Sequence, residues 1–203
     1  SRAIAPRERR RAFLRVLVVV DPTKTLHHAQ AEADEVTAAL GKRPDVQVEQ
    51  LGPENATVAE LTARLRRGFF DVLHFAGHAS FDEANPENSG LQMSDGVFGS
   101  AALADVPLPR FVFLSACESG RLRAQNKEAP LPSPAKRSLA EAFLRNGVTA
   151  LVGTFFTVDD ASAREFAATT HLELASGKLL GAAVRTARKA LFDAHVPDWG
   201  NFL

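Results

Sequence analysis

The sequence predicts an α/β fold in which helices cover both faces of a mostly parallel sheet. Short apolar runs alternate with helical patterns along the chain, and this order is typical of parallel sheets because their strands are joined by crossover helices. The first apolar run, residues 13–20, is almost continuous, which indicates a strand buried on both faces. We find no internal repeat, so a solenoid is not expected.

The first half of the chain alternates strictly between strand and helix patterns. Apolar residues at helical spacing follow the first strand, and Gly41 closes that helix. Thr57 and Glu60 form a capping box that opens the next helix. The predicted elements are a strand over 13–20, a helix over 29–40, an edge strand over 46–51, a helix from 58 and a strand over 70–76.

The second half continues the alternation after a small hairpin. An Asp95-Gly96 turn predicts the hairpin, and Ser138 with Glu141 forms a second capping box. The predicted elements are the hairpin over 90–97, a strand over 110–116, a helix from 138, a strand over 148–156 and two helices over 159–176 and 180–191.

Composition excludes several classes of protein. Lys plus Arg and Asp plus Glu both number 24, whereas a nucleic-acid binder needs surplus cations for phosphate contacts. The longest unbroken apolar run is far too short to cross a bilayer, and there is no signal-peptide core. The single cysteine, Cys117, excludes an intramolecular disulfide and a multi-cysteine metal centre. We therefore expect a soluble, cytoplasmic protein that binds neither nucleic acid nor membrane.

The first residues differ from the rest in charge. Six arginines lie among the first fifteen residues, and such a run is typical of a solvated segment. We therefore expect a basic linker over residues 1–12 and one domain over residues 13–203. The absence of an initial methionine suggests a piece of a longer chain.

Two chemically active side chains follow predicted strand ends. His78 lies in a glycine-containing turn after the third strand, and Cys117 follows the strand over 110–116. Sites in parallel sheets form at the carboxyl ends of strands, and neighbouring strands lie about 5 Å apart. A histidine at that distance can lower the pKa of a thiol and make it a nucleophile. The alternative is that Cys117 is a small buried hydrophobic residue.

The segments around these two residues resemble the CHAT domain family, which comprises caspase-like, separase-related cysteine peptidases of clan CD. The resemblance rests on residues 74–79 (HFAGHA) and 114–120 (LSACESG), with weaker blocks at 89–96, 139–144, 155–161 and 199–203. It implies a caspase-like three-layer α/β/α sandwich, with the last block as a closing strand.

The resemblance also implies the roles of individual residues. Cys117 is the expected nucleophile and His78 the expected base, while the backbone amides of Ala79 and Cys117 form the oxyanion hole. No metal or cofactor is implied. Two residues depart from the pattern: Ala79 replaces the glycine usual in caspases, and Phe156 stands where many members carry tryptophan.

The implied activity is that of a cysteine endopeptidase that cleaves a specific protein partner in a bacterial signalling or immune pathway, for example a gasdermin-like pore former. One alternative is a catalytically silent interaction module with the same fold. Another is a cysteine phosphatase, because Cys117 and Arg123 fit the spacing C-x5-R, although Glu118 would place negative charge beside the phosphate.

Three further residues have open interpretations. Asp159 and Asp160 either cap the following helix or line an S1 pocket that selects a basic P1 residue, as in separase-like relatives. His74 lies four residues before His78, a separation of about 13 Å on a strand, which is too far for both to bind one metal ion. We interpret His74 as a packed, hydrogen-bonded histidine of the sheet.

Overall fold

The computed structural model of the chain describes residues 13–26, 28–80, 89–116, 139–154 and 158–202. The predicted linker and Cys117 lie outside the described residues. The elements are, in chain order, β1 (Leu14–Val20), α1 (Ala29–Gly41), β2 (Val46–Leu51), α2 (Val58–Arg67), β3 (Val72–Ala76), β4 (Ala79–Ser80), β5 (Gly90–Met93), β6 (Gly96–Gly99), α3 (Ser100–Ala104), β7 (Phe111–Ser115), α4 (Leu139–Arg145), β8 (Ala150–Val152), α5 (Asp160–Ala175), α6 (Leu180–Asp193) and a 3-10 helix (Pro197–Gly200).

Five strands form a parallel sheet in the order β2-β1-β3-β7-β8. A separate antiparallel sheet contains β4, β5 and β6. Helices α1, α5 and α6 pack on one face of the parallel sheet, while α2, α4 and the small sheet pack on the other. The predicted three-layer α/β sandwich with a mostly parallel sheet is therefore confirmed.

β1 shows why the first apolar run is continuous. Val16 and Val18 pack against the helices of one face, whereas Leu17 and Val19 belong to the core on the other face. All four are fully buried, because β1 lies between β2 and β3 in the middle layer. Successive side chains of a strand point to opposite faces, so both must be apolar here.

Local sequence patterns predicted most of the other elements correctly. β2 is an outer strand of the sheet with alternating burial, as expected. The Thr57 hydroxyl accepts a 3.0 Å hydrogen bond from the Glu60 backbone N–H, which confirms Thr57 as the helix cap. The return bond of a capping box is replaced, because the Thr57 N–H donates to the Asn55 carbonyl and the Glu60 carboxylate accepts from Arg64. The second capping box was predicted from Ser138, which lies outside the described residues. Gly41 is the last residue of α1, and Lys42 follows it in helical conformation as the cap.

Two local predictions need correction. The hairpin places Ser94 and Asp95 in its two-residue loop, and Gly96 already pairs with Met93, so the turn is not Asp-Gly. The Asp95 carboxylate instead accepts a hydrogen bond from the first backbone N–H of α2, which fixes the loop. The fifth large-sheet strand, β8, has three residues, shorter than predicted.

The expected closing strand is also replaced by other structure. Residues 197–200 form the 3-10 helix, which Pro197 opens. Phe202 then makes one antiparallel bridge, to Thr154. Its ring is buried and stacks on Phe166 of α5, with the centroids 3.9 Å apart. A single buried aromatic residue, rather than a strand, thus anchors this end of the described chain.

None of the helices in the described ranges combines the length and hydrophobicity that crossing a membrane requires.

Candidate active site

The candidate site begins where β3 and β7 end. These strands are neighbours, and their register pairs Ala76 with Ser115. The ladder continues one step further, because the Gly77 backbone N–H donates to the Ser115 carbonyl at 3.2 Å. His78 follows this last bond directly on one strand, and Ala116 follows it on the other. The two strands are therefore adjacent, which is the condition under which His78 and Cys117 follow neighbouring strand ends.

His78 is exposed at this edge of the sheet. Its Nε2 lies 2.9 Å from the hydroxyl oxygen of Thr25. Its carbonyl accepts a hydrogen bond of 2.9 Å from the Gln92 backbone N–H. The ring is therefore tethered at Nε2 while its main chain is fixed by the small sheet, and within the described ranges Nδ1 has no hydrogen-bond partner.

Thr25 is held by the loop that follows β1. Asp21, which is 9% exposed, follows that strand directly and has a positive φ of 35°, a conformation that Asp tolerates better than most residues. Its carboxylate accepts backbone hydrogen bonds from Thr25 (3.1 Å) and Leu26 (2.9 Å). The Thr23 hydroxyl bridges the Asp21 carboxylate and the Thr25 hydroxyl, at 3.2 and 2.8 Å. One buried carboxylate thus shapes the loop that meets His78.

Gly77 lets the chain turn closely at the end of β3. A Cβ at this position would lie 2.7 Å from the Phe75 ring and 3.1 Å from Pro22. Phe75 is fully buried, so its ring has no free space to move into. A glycine is therefore required immediately before His78 by close packing.

The Ala79 amide has a defined direction. Ala79 pairs with Leu91 in the antiparallel ladder of β4 and β5, next to the hydrogen bond between the Gln92 N–H and the His78 carbonyl. Hydrogen-bonded and non-hydrogen-bonded pairs alternate in such ladders. Ala79 thus occupies a non-hydrogen-bonded position, and its N–H points away from β5.

Cys117, the predicted nucleophile, lies outside the described residues, and so do Arg123 and Phe156. Its neighbour Ala116 is buried, and the Ala116 carbonyl accepts a 3.3 Å hydrogen bond from the Thr154 hydroxyl. Ala116, which precedes Cys117 in the chain, is therefore held in place at the same edge of the sheet as His78.

Asp159 and Asp160 lie at the start of α5. One Asp159 carboxylate oxygen accepts hydrogen bonds from the backbone N–H groups of Ala161 (3.0 Å) and Ser162 (3.3 Å), as a helix cap does. The Asp160 carboxylate lies 3.3 Å from His28 Nε2, and both side chains are exposed. A role in an S1 pocket stays a prediction.

His74 is fully buried in the middle of β3 and stacks on Phe113, with ring centroids 5.0 Å apart. Its Nδ1 lies 3.0 Å from Nε2 of His171, which is also buried. Burial lowers the pKa of His171 well below its ordinary value of 6.5, and the charge of the neighbouring His74 lowers it further. The interpretation of His74 as a packed, hydrogen-bonded sheet histidine is confirmed.

Asp21 and Thr25 were not among the residues predicted from the sequence. Asp21 follows the first buried strand directly, with Thr23 and Thr25 after it, and sites in parallel sheets form at the carboxyl ends of strands. A carboxylate and two hydroxyls at the carboxyl end of a central strand are a recognisable signal. Their contact with His78 depends on the strand order, which the sequence does not specify.

The neutral state of His171 predicts loss of stability in acid. The unfolded chain takes up a proton on His171 below about pH 6.5, whereas the folded chain does not. The free energy of unfolding should therefore fall as the pH decreases below 6.5, by at most about 1.4 kcal/mol per pH unit for this one proton.

Urea denaturation at several pH values tests this expectation. His171→Gln should make the dependence on pH shallower below 6.5, and His195→Gln, at an exposed histidine, should leave it unchanged. An unaltered slope in His171→Gln would show that His171 titrates equally in both states.

Comparison with known proteins agrees with this architecture. The CHAT domain model matches residues 1–202, and a search of curated proteins found no sequence match. Among solved structures, the Arg-specific cysteine proteinase gingipain R is similar, with a TM-score of 0.62, 14% sequence identity and coverage of 91% of this chain. The match covers 43% of the gingipain chain, so this chain spans less than half of that protein. Gingipain R thus shares the caspase-like fold. Because the CHAT domain model matches almost every residue, this chain belongs to the CHAT domain family.

Proposed function

We propose that this protein is a cysteine endopeptidase in which Cys117 is the nucleophile and His78 the general base. The observation that carries the proposal is the register of β3 and β7, which ends the two strands side by side immediately before these residues. The exposed imidazole of His78, tethered through Nε2, supports it. Family membership and the fold shared with a cysteine proteinase agree with protease activity.

The reaction would proceed through an acyl-enzyme. His78 Nδ1 takes the proton of the Cys117 thiol, and the thiolate attacks the carbonyl carbon of the scissile peptide bond. The tetrahedral intermediate collapses when the C–N bond breaks and His78 returns the proton to the leaving amine. Water then attacks the thioester, with His78 accepting its proton, and the carboxylic acid product and the thiol are released.

The oxyanion would be bound by the backbone N–H groups of Ala79 and Cys117. The direction of the Ala79 N–H, away from β5, supports this assignment because a donor already used in the ladder could not serve. Fixed donors aimed at a developing negative charge stabilise the transition state more than the ground state. Alanine at position 79 still provides the amide.

The start of α5 would recognise a basic P1 residue. Asp160 supports this proposal, since its exposed carboxylate contacts only an exposed histidine among the described partners. Asp159 would act less directly, because its carboxylate already caps the helix. An Arg or Lys side chain could replace His28 as the partner of Asp160 at little cost, since exposed ion pairs contribute about 1 kcal/mol or less.

The substrate would be a protein partner, such as a gasdermin-like pore former, in a bacterial signalling or immune pathway in the cytoplasm. The resemblance of the two motif segments to CHAT proteases supports this setting. Cleavage of one specific partner agrees with a peptidase domain whose chain carries no net charge, because recognition would then rest on local contacts rather than on a general electrostatic field.

A peptide library with every residue represented at P1 tests the activity. Wild-type protein should cleave after Lys or Arg, Cys117→Ala should abolish cleavage, and His78→Ala should slow it at least about 100-fold. His195→Ala changes an exposed histidine outside the proposed site and should cleave normally. Cleavage that survives Cys117→Ala, detected by mass spectrometry, would contradict the mechanism.

The tether between Thr25 and His78 gives a second expectation. Thr25→Val removes the hydroxyl with little change in shape, so the ring of His78 loses its partner at Nε2. We expect kcat to fall about three- to tenfold with little change in KM, the size expected for one hydrogen bond.

Kinetics on the best peptide of the library measure this effect. Thr25→Ser should restore most of kcat. Thr186→Val, which removes a helical hydroxyl bonded to the Ala182 carbonyl, serves as the matched control. A wild-type kcat in Thr25→Val would show that the tether has no role.

A further inference from the structure

A cluster of buried titratable side chains lies behind the candidate site. It consists of the buried Glu32, His74 and His171 together with the half-buried hydroxyl of Ser115, and we call it the Glu32 cluster. The Ser115 hydroxyl donates a 2.8 Å hydrogen bond to Glu32 Oε2. The other carboxylate oxygen lies 3.3 Å from His74 Nε2, and neither of these two buried atoms makes a hydrogen bond within the described residues.

These groups are costly to bury. Glu32 is 5% exposed, and the two histidines are at most 1% exposed. Phe111 and Phe113 pack against the histidine rings, so the surroundings are apolar. Buried ion pairs seldom stabilise a fold more than well-packed apolar residues of similar size would. Stability alone therefore gives little reason for a carboxylate at this place.

The position of Glu32 in the fold gives a functional reason for burying a carboxylate here. Glu32 lies in the first turn of α1, directly after the loop that carries Thr25. Ser115 is the last residue of β7, two residues before Cys117, and His74 belongs to β3, four residues before His78. One carboxylate thus joins the two strands that lead to His78 and Cys117 and the helix that follows the Thr25 loop.

We propose that Glu32 is a positioning residue of the active site, which holds the middle of β3, the end of β7 and the start of α1 in one arrangement through His74 and Ser115. This inference rests on the proposed function, because the arrangement matters only if His78 and Cys117 react together. His74 Nε2 lies 3.3 Å from the Glu32 carboxylate, and His74 Nδ1 lies 3.0 Å from Nε2 of His171, so His74 lies between Glu32 and His171.

Ser115→Ala is the smallest change that tests this arrangement. Ser115→Ala removes one hydroxyl and leaves the backbone pairing with Ala76 possible. Without that bond, the end of β7 loses its link to α1, and Cys117 samples positions in which His78 no longer stabilises its thiolate. The pH at which the thiol becomes reactive should therefore rise toward the ordinary value of about 8.5.

Alkylation by iodoacetamide measures the pH at which the Cys117 thiol becomes reactive, without any peptide substrate. Cys117 is the single cysteine, so one adduct in the intact mass reports its reactivity. At pH 7 we expect Ser115→Ala to be alkylated about three- to tenfold more slowly than wild type, with equal rates for both in concentrated urea. Ser115→Thr keeps a hydroxyl and should recover most of the rate.

Two more variants complete the test. Glu32→Gln should raise the pH of half-maximal alkylation as Ser115→Ala does. Ser94→Ala is the control and should not raise it, because it removes a hydroxyl of the hairpin loop that donates to the Ala56 carbonyl. If Glu32→Gln does not fold, Ser115→Ala still decides the question.

The outcomes separate the two proposals. A wild-type pH profile in folded Ser115→Ala would overturn the positioning role and leave the dyad intact. A wild-type thiol that already titrates near 8.5 would contradict the dyad itself, and the positioning role with it.

Discussion

The whole site depends on one constraint, the parallel register of β3 against β7. Because Ala76 lies opposite Ser115, both strands reach the same edge of the sheet at the same level. A shift by one residue would turn every side chain of the strand to the opposite face, and the apolar residues on both faces make such a shift very costly. The packing of the core thereby determines which two residues follow the strand ends.

The same edge of the sheet is surrounded by polar groups that the core would not need for its own stability. Asp21 shapes the loop that reaches His78, and Glu32 joins α1 to β3 and β7. Both carboxylates are largely buried, and each accepts hydrogen bonds from groups of a neighbouring segment or loop. In an apolar environment such bonds are directional and costly to break, so they fix positions more sharply than apolar contacts do.

Much of the fold could be predicted from local patterns. The continuous run of β1, the helix cap at Thr57 and the strand end before His78 are all signals that neighbouring residues carry. The contacts of Thr25, Glu32 and Ser115 could not be predicted in this way, because each partner is 53 to 83 residues away along the chain and becomes a neighbour through strand order alone. The turn lies at Ser94-Asp95 rather than at the predicted Asp95-Gly96 for a related reason, because the Asp95 carboxylate accepts a hydrogen bond from the start of α2, which is distant along the chain.

Whether His78 activates Cys117 can be measured by the pH profile of iodoacetamide alkylation in folded wild type and in His78→Ala. We expect the wild-type thiol to become half-maximally reactive well below pH 8.5, because a neighbouring imidazolium stabilises the thiolate, and the midpoint in His78→Ala to return to about 8.5. Identical profiles in the two proteins, whether the thiol reacts at its ordinary pKa or not at all, would show that His78 does not activate Cys117.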